Sequence, residues 1–437
     1  MKRSMAVAAA MLAIGAAVAA CSSGTASQNS ASDVLSGATP TGITLTLWHN
    51  TADPQALLDL YKAYEKASGN KIVLVNMPQS TFPTAVQTKW ATGARPDILE
   101  WHGNEDDAES LNISQNAIDL SSLAFVKKEG TLAQLAGNIG GKVYAASIGF
   151  PTVWGVFYNK KDFAEAGLSA PQTYADLASD CTVLKSKESG VSPIYMAGGD
   201  QWPTAVLAGF DYMGQYNVNA AYDKSITSGS AKLTDASGPF IAGMKAYAAL
   251  KTDGCYNADS STGTWLSSLK AVLNGSAAMV AQGTDSIAIL DADANGDTAK
   301  VDSEVGFAAV SATESIANYS PTPLGTYYVP KTGNTEKERA AIGFINFITG
   351  KGYASYVKEA DGIPTLSGTP VPKLQELWTE VKKAYDGGAA LTVNSQIPGF
   401  GNFGSTASDL LAGELTPASA ASKMQAYYMQ AEAALGS

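Results

Sequence analysis

Between Ile43 and Trp101 the chain changes its hydrophobic period four times, and this alternation restricts the available folds more than any other feature. Ile43-Thr44-Leu45-Thr46-Leu47-Trp48-His49 alternates polar and apolar residues, the period of a strand. Asp53-Pro54 then opens a helix whose apolar positions Leu57, Leu60, Tyr61 and Tyr64 recur at helical spacing, and Gly69 closes it. Lys71 to Asn76 reads as a second strand, Phe82 to Thr92 as a second helix and Pro96 to Trp101 as a third strand. Strands separated by helices lie side by side in parallel, with the helices covering the sheet faces. The expectation is a doubly wound α/β sheet. Ligands of such sheets bind beyond the carboxyl ends of the strands. That places Trp48, His49, Asn50, Glu100, Trp101 and Asn104 at one mouth.

The alternation resumes after Tyr144 to Tyr158, two extended runs around Pro151, and continues to a last helix over 418–434. A chain of 437 residues is too long for one compact core, so two domains are expected. The hydrophobic content of 45% is that of a globular protein. Beyond the N-terminal 20 residues there is no apolar stretch long enough to span a bilayer.

Lys2 and Arg3 precede an apolar, alanine-rich run from Met5 to Ala20, the pattern of a secretory signal. Val18-Ala19-Ala20-Cys21 resembles the bacterial lipobox, in which the cysteine is acylated and becomes the mature N-terminus. Residues 1–20 are therefore expected to be removed, leaving an extracytoplasmic protein whose only membrane contact is the lipid on Cys21. Residues 21–41, rich in Ser, Gly, Thr and Ala, read as a flexible tether. Losing Lys2 and Arg3 from 29 basic side chains, against 40 acidic ones, leaves a formal charge of −13. Such a surface repels nucleic acid, and no basic run offsets it. With Cys21 assigned to lipid, Cys181 and Cys255 form an even pair in an oxidising compartment and are expected to join as a disulfide.

Catalytic motifs are scarce. His49 and His102 are the only histidines, too few for most triads or zinc sites. Gly399-Phe400-Gly401-Asn402-Phe403-Gly404 spells a dinucleotide-type glycine pattern. It follows Pro398 rather than a strand, so a loop presenting Phe400 and Phe403 is expected instead. Glu100, Glu105, Asp106 and Asp107 beside Trp101 leave open a glycoside hydrolase with two carboxylates in an aromatic cleft. Asp291, Asp293, Asn295, Gly296, Asp297 and Asp302 resemble a calcium loop of the EF-hand type, with Asp302 in place of the usual glutamate. Any calcium there is expected to be structural, and no other cofactor is implied.

Val153-Trp-Gly-Val-Phe-Tyr-Asn-Lys-Lys-Asp-Phe-Ala-Glu-Ala-Gly-Leu through Leu177 resembles the sugar-binding solute-binding proteins of bacterial ABC importers, the maltodextrin type included. Gly93-x-x-Pro96-Asp97-Ile98, Asn274-Gly275-x-Ala277-Ala278-Met279, Ala340 to Phe347 and Gly362-Ile363-Pro364 follow in the same order. The resemblance implies the type II periplasmic-binding fold: two α/β lobes joined by hinge crossovers around a ligand cleft. Its lobes would comprise 42–151 with 325–366, and 152–324 with 367–437. It also implies that Trp101 stacks on a sugar, that Asn50, Asn104 and Asp200 hydrogen-bond it, and that Trp202, Phe400 and Phe403 add aromatic contacts. Asp285 stands where many relatives carry tryptophan and would supply a further hydrogen bond. The implied function is a monomeric, non-catalytic receptor delivering a sugar to an ABC permease. A receptor of this fold for a polyol, amino-acid derivative or metal chelate, and a tethered glycoside hydrolase, remain as alternatives.

Overall fold

The computed structural model describes residues 34–35, 39–78, 81–130, 136–187, 190–218, 222–320, 325–391 and 397–435. The alternating stretch forms β1 (Thr44–Asn50). It pairs in parallel with β2 (Lys71–Met77) from Thr44–Lys71 to Asn50–Met77, and on its other edge with β3 (Ile98–Glu100). The helix Gln55–Ser68 makes the first crossover and stops at Gly69, whose left-handed backbone (φ 73°) turns its N–H back to Glu65 O. The helix Phe82–Ala91 makes the second.

After a short hairpin, β4 (Asn138–Ile139) and β5 (Lys142–Val143), the strand β6 (Ala145–Ser147) still belongs to this sheet. The chain then leaves it. β7 (Thr152–Asn159) is the centre of a second sheet, joined by β8 (Ser192–Ile194), β9 (Ala277–Gly283), β10 (Val305–Ala308) and β11 (Asn318–Ser320). β12 (Thr326–Tyr328) returns to the first sheet, and β13 (Ala390–Leu391) completes the second. The first sheet has the order β2-β1-β3-β12-β6, and the second β13-β11-β7-β9-β8 with β10 also on β7. Both sheets are mixed rather than purely parallel: β12 runs antiparallel to β3 and β6, and β7 antiparallel to β9, β10 and β11.

Each sheet has its own core, which makes the molecule two-lobed. In the first lobe Leu45, Leu47, Ile98 and Tyr327 face the helices Gln55–Ser68 and Thr335–Ile348, meeting Leu57, Leu60, Tyr64 and Phe344. The alternate residues Trp48, Leu99 and Tyr328 face the opposite way, onto Val86 and Trp90. In the second lobe one face of the sheet packs on the helices Trp202–Val218, Pro239–Thr252, Phe403–Ala412 and Pro417–Leu435, and the other on Trp265–Leu273, Ser286–Asp293 and Glu376–Asp386. Each such side chain taken from water contributes roughly 1.5–3 kcal/mol. Asn159, the centre of the Tyr-Asn-Lys stretch, accepts from Lys161 N and Asp162 N at 3.0 Å to cap the helix Lys160–Ala166. Its amide also donates to Val272 O at 2.8 Å, tying that cap to a neighbouring helix.

The signal residues 1–20 and Cys21 lie outside the described residues. The expected tether departs from its reading at its far end. Val34 is buried in the first lobe's core, and Arg339 Nε donates to its carbonyl at 2.6 Å. Asn70 Nδ2 likewise donates to Pro40 O at 3.2 Å. A Val34-Leu35 pair in a polar run gave no periodic signal, yet both pack on the first lobe's core. Among the described residues no helix is long and apolar enough to cross a membrane.

Cys181 and Cys255 form a disulfide, 74 positions apart with Cα atoms 5.6 Å apart. It ties the helix Tyr174–Lys187 to the segment after Pro239–Thr252, and both cysteines are buried. Closing a loop of this length restricts the unfolded chain by ~4 kcal/mol in the chain-entropy account. Urea unfolding of the double variant Cys181→Ala/Cys255→Ala should show a loss of roughly 2–4 kcal/mol. Unchanged stability, or two free thiols in the denatured, unreduced protein, would contradict the bridge.

Candidate functional site

The two lobes face each other across a cleft of ≈ 2180 Å³. From the first lobe come Asn50 at the end of β1, Phe82 at the start of its helix, and His102, Asn104 and Asp107 beyond β3. From the second come Thr152 and Trp154 on β7, Asp200, Gln201 and Trp202, Trp265, Thr284 and Asp285 beyond β9, and Phe403. Ile148, Gly149 and Phe150, in the crossover between the lobes, form part of the lining.

Three indoles form a corner on the second-lobe wall. Trp154 and Trp202 meet edge to face with centroids 6.0 Å apart, and Trp202 and Trp265 at 5.5 Å. Trp154 Nε1 donates to Ser320 Oγ and Trp265 Nε1 to Ser286 Oγ, both at 3.0 Å. With these polar tips satisfied by protein, the rings present apolar surface to the cleft. The corner is held by the turn Gly198–Asp200: a Cβ at Gly198 would stand 2.5 Å from Ser260 O, and one at Gly199 2.7 Å from Thr262 O. Only glycine allows this approach. Asp200 in turn accepts from Trp265 N, the first residue of the helix Trp265–Leu273, at 2.5 Å.

Asp285 lies beside this corner, with Oδ1 buried and without a hydrogen-bond partner. Burial pushes its carboxyl up to about 6. On the first-lobe wall His102 Nδ1 lies 2.6 Å from Asp107 Oδ2. Burial alone would raise the Asp107 carboxyl, but the charge and hydrogen bond of His102 hold it below its ordinary value.

Of the sugar contacts the sequence singled out, Asn50, Asn104, Asp200, Trp202, Asp285 and Phe403 reach the cleft, as do Asp107 from the carboxylate candidates and Asp291 and Asp302 from the expected calcium loop. Trp101 does not. It is fully buried, its Nε1 donates to Asp107 O at 2.8 Å, and its ring stacks on His102 at 4.8 Å. Position 101 continues the alternation of β3, so its side chain falls on the Leu99 face, under Phe82. Trp48 lies in the same layer, edge to face with Trp90 at 6.4 Å. Phe400 is buried in the second lobe between Tyr212 and Phe240, so this loop turns inward rather than presenting its rings, and Phe403 shows the cleft little of its own.

His49 and Glu100 are also buried. His49 Nδ1 lies 2.8 Å from Asp53 Oδ2, which also accepts from Tyr61 OH at 3.1 Å, and Tyr61 OH lies 2.6 Å from Tyr327 OH. Glu100 accepts from Asn50 N at 3.2 Å and Gly325 N at 3.0 Å. Burial first, then the neighbouring Asp53, pushes its carboxyl well above the usual carboxylate range. His49, Asp53 and Glu100 each offer an atom within 4.8 Å of the others, the one group of this kind among the described residues. Their hydrogen bonds make them a buried support for the strand ends.

The expected calcium loop is a corner between helices. Asp291 and Asp293 belong to the helix Ser286–Asp293, and Asn295 turns the chain with φ 58°. Asp297 caps Thr298–Glu304 through Lys300 N at 3.0 Å. Asp302 accepts from Glu376 N and Leu377 N, and Asp291 from Gln375 Nε2. Asp293 lies 3.8 Å from Lys270 Nζ. The oxygens thus serve separate partners instead of converging, because helix formation on both sides outcompetes the extended twelve-residue loop.

Sequence reasoning missed Trp154 and Trp265. Trp154 sits inside an apolar strand and reads as core; Trp265 starts a helix and carries no motif. Asp285 offers a direct test of the site's electrostatics. Its folded value lies above the ordinary 3.8, so the native state holds the proton more tightly than the unfolded chain. That stability is complete below about pH 4 and lost as pH rises through about 6. Asp285→Asn should therefore match the wild type near pH 4 and exceed it by roughly 1–3 kcal/mol at pH 8 in urea unfolding. An equal difference at both pH values would contradict a carboxyl raised by burial.

A family model for bacterial extracellular solute-binding proteins matches residues 48–355. Among solved structures the chain is similar to a chitin oligosaccharide binding protein, at 22% identity and TM-score 0.75, covering 90% of this chain and 99% of that one. It is similar to the solute-binding protein RafE in complex with raffinose, at 17% identity and TM-score 0.72, covering 88% and 98%. A sugar transporter protein from Bacillus licheniformis in complex with stachyose gives 18% identity and TM-score 0.68, covering 89% and 100%. No curated protein matches the chain in sequence. Identities this low establish a shared two-lobe fold, and with the family match over most of the chain they lead to one conclusion: the chain belongs to the bacterial extracellular solute-binding proteins.

Proposed function

We propose that the protein is a non-catalytic receptor that captures a neutral oligosaccharide in the interlobe cleft and passes it to the permease of an ABC importer. The observation that carries this reading is the Trp154–Trp202–Trp265 corner facing Asn50 and Asn104 across the cleft. The C–H face of a sugar ring rests well on an indole, while its hydroxyls need convergent amides and carboxylates; this cleft has both. Its ≈ 2180 Å³ exceeds the ~300–1,000 Å³ of a typical small-ligand pocket and suits more than one sugar unit. Asp107, Asp200, Asp285 and Asp361 on its walls disfavour anionic glycans. Chitin-derived, raffinose and stachyose ligands in the similar proteins support the same class.

In this reading Cys21 carries the lipid that keeps a monomeric receptor beside its transporter. No metal or cofactor takes part, and the sugar leaves the cleft chemically intact.

Thermal-shift titrations with raffinose, stachyose and chitin oligosaccharides test the class, because a ligand of the native state alone raises Tm. Micromolar binding, about −8 kcal/mol, is expected for at least one. Trp202→Ala should weaken it by ~10- to 1,000-fold in calorimetric titration, as for a central aromatic anchor, with the ligand-free Tm near wild type. Unchanged affinity in a folded Trp202→Ala variant would remove the corner from the site. Release of reducing ends from any bound sugar would favour the hydrolase alternative.

A further inference from the structure

Gln201 stands where the aromatic corner meets the cleft, and its backbone is unlike that of any other described non-glycine residue. Four such residues have positive φ: Asn112, Gln201, Asn295 and Asp361. Three are Asn or Asp, whose short polar side chains tolerate the left-handed region. Gln201 has neither that chemistry nor that geometry. Its φ of 60° and ψ of −55° are those of a tight γ-turn, a rare and strained conformation for a residue with a Cβ.

The surroundings force this conformation. Gln201 N donates to Gly198 O at 3.2 Å, and its carbonyl accepts from Thr204 N at 3.0 Å and Thr204 Oγ1 at 2.5 Å. Thr204 Oγ1 also reaches Gly404 O at 2.9 Å, which fixes the turn to the helix Phe403–Ala412. On the other side Gly198 and Gly199 press against the backbone of 260–263. The backbone groups are thus committed to the fold. The side chain is exposed and lines the cleft between Asp200 and Trp202. Strain held by over-determined surroundings at a ligand cleft is a recognised mark of function, and glycine would hold the same turn without it.

We infer that Gln201 is a ligand-contacting, specificity-determining residue whose primary amide hydrogen-bonds adjacent hydroxyls of a sugar seated on the tryptophan corner, and that the strained turn persists because it aims this amide into the cleft. The inference rests on the sugar-receptor reading. A primary amide offers a donor and an acceptor side by side, and two neighbouring ring hydroxyls offer the complement. A hydroxyl pair therefore satisfies both ends, whereas a ligand carboxylate would satisfy only the N–H end.

Three variants separate presentation from strain. Gln201→Ala keeps the strain and removes the amide, Gln201→Gly removes both, and Gln201→Asn keeps a shortened amide. Each is titrated calorimetrically with whichever of raffinose, stachyose or a chitin oligosaccharide the wild type binds, and its ligand-free Tm is measured. Gln201→Ala should bind about 10-fold more weakly with Tm within ~1 °C of wild type, the loss expected for hydrogen bonds desolvated in a closed site. Gln201→Gly should bind as weakly but melt about 2 °C higher, because relief of strain outweighs the added freedom of the unfolded chain. Gln201→Asn should recover part of the affinity. A wild type that binds while Gln201→Ala keeps full affinity overturns the assignment and leaves the receptor reading standing. A Gln201→Gly variant that melts at or below wild type overturns the strain. A wild type that binds none of the three sugars overturns the receptor reading and the contact together.

Discussion

The architecture depends on one pairing: β12 inserted between β3 and β6. Tyr327 and Tyr328 pair antiparallel with Glu100 and Leu99 on one side, and Thr326 to Tyr328 with Ser147 to Ala145 on the other. The first sheet is therefore complete only after the chain has left at Ser147, built every strand of the second sheet but β13, and come back at Gly325. The departing and returning strands are adjacent, and Ser147 Oγ lies 3.0 Å from Thr326 Oγ1. Each is clasped at this point by a buried carboxyl: Glu129 accepts from Ser147 N at 2.9 Å and Glu100 from Gly325 N at 3.0 Å. Burial pushes both carboxyls well above the usual carboxylate range, which favours neutral acids that need no countercharge. The two cores are thus joined through adjacent, clasped strands, and the cleft lies between them.

Much of this was legible from residue order. The switch between periods of two and 3.6 located β1, β2, β3 and their crossover helices to within about two residues, because most of their apolar positions face a core, the exposed Val73 of β2 being an exception. Strand ends were a coarser guide to the site. Residues at the mouth of a parallel sheet can still lie inside the lobe, as Trp48, His49, Glu100 and Trp101 do. At these strand ends the side chains that reach the ligand space are Asn50, the last residue of β1, and His102 and Asn104, beyond β3. The error at Trp101 is one of face: two residues beyond Leu99, it inherits the buried side.

Other features lay outside what spacing can report. Trp154 and Trp265 belong to the site because lobe two brings β7 and the start of a helix together with Trp202, from positions 48 and 63 residues away from it in sequence. The 291–302 segment shows the converse. Its oxygen spacing fits a cation loop, but flanking helical propensity and the open N-termini of Thr298–Glu304 and Glu376–Asp386 take those oxygens as caps. Two walls of unequal chemistry result: three indoles, two of them (Trp154 and Trp265) with polar tips already bonded, and opposite them amides and a His–Asp pair.

The central claim is that the lobes close on a sugar held between these walls. Small-angle X-ray scattering of the purified protein, titrated with raffinose, stachyose and chitin oligosaccharides, tests it most directly. A saturable decrease in radius of gyration is expected with at least one sugar, following the same binding curve as calorimetry and absent in Trp202→Ala at equal sugar concentration. Binding by calorimetry with no change in radius of gyration would contradict it.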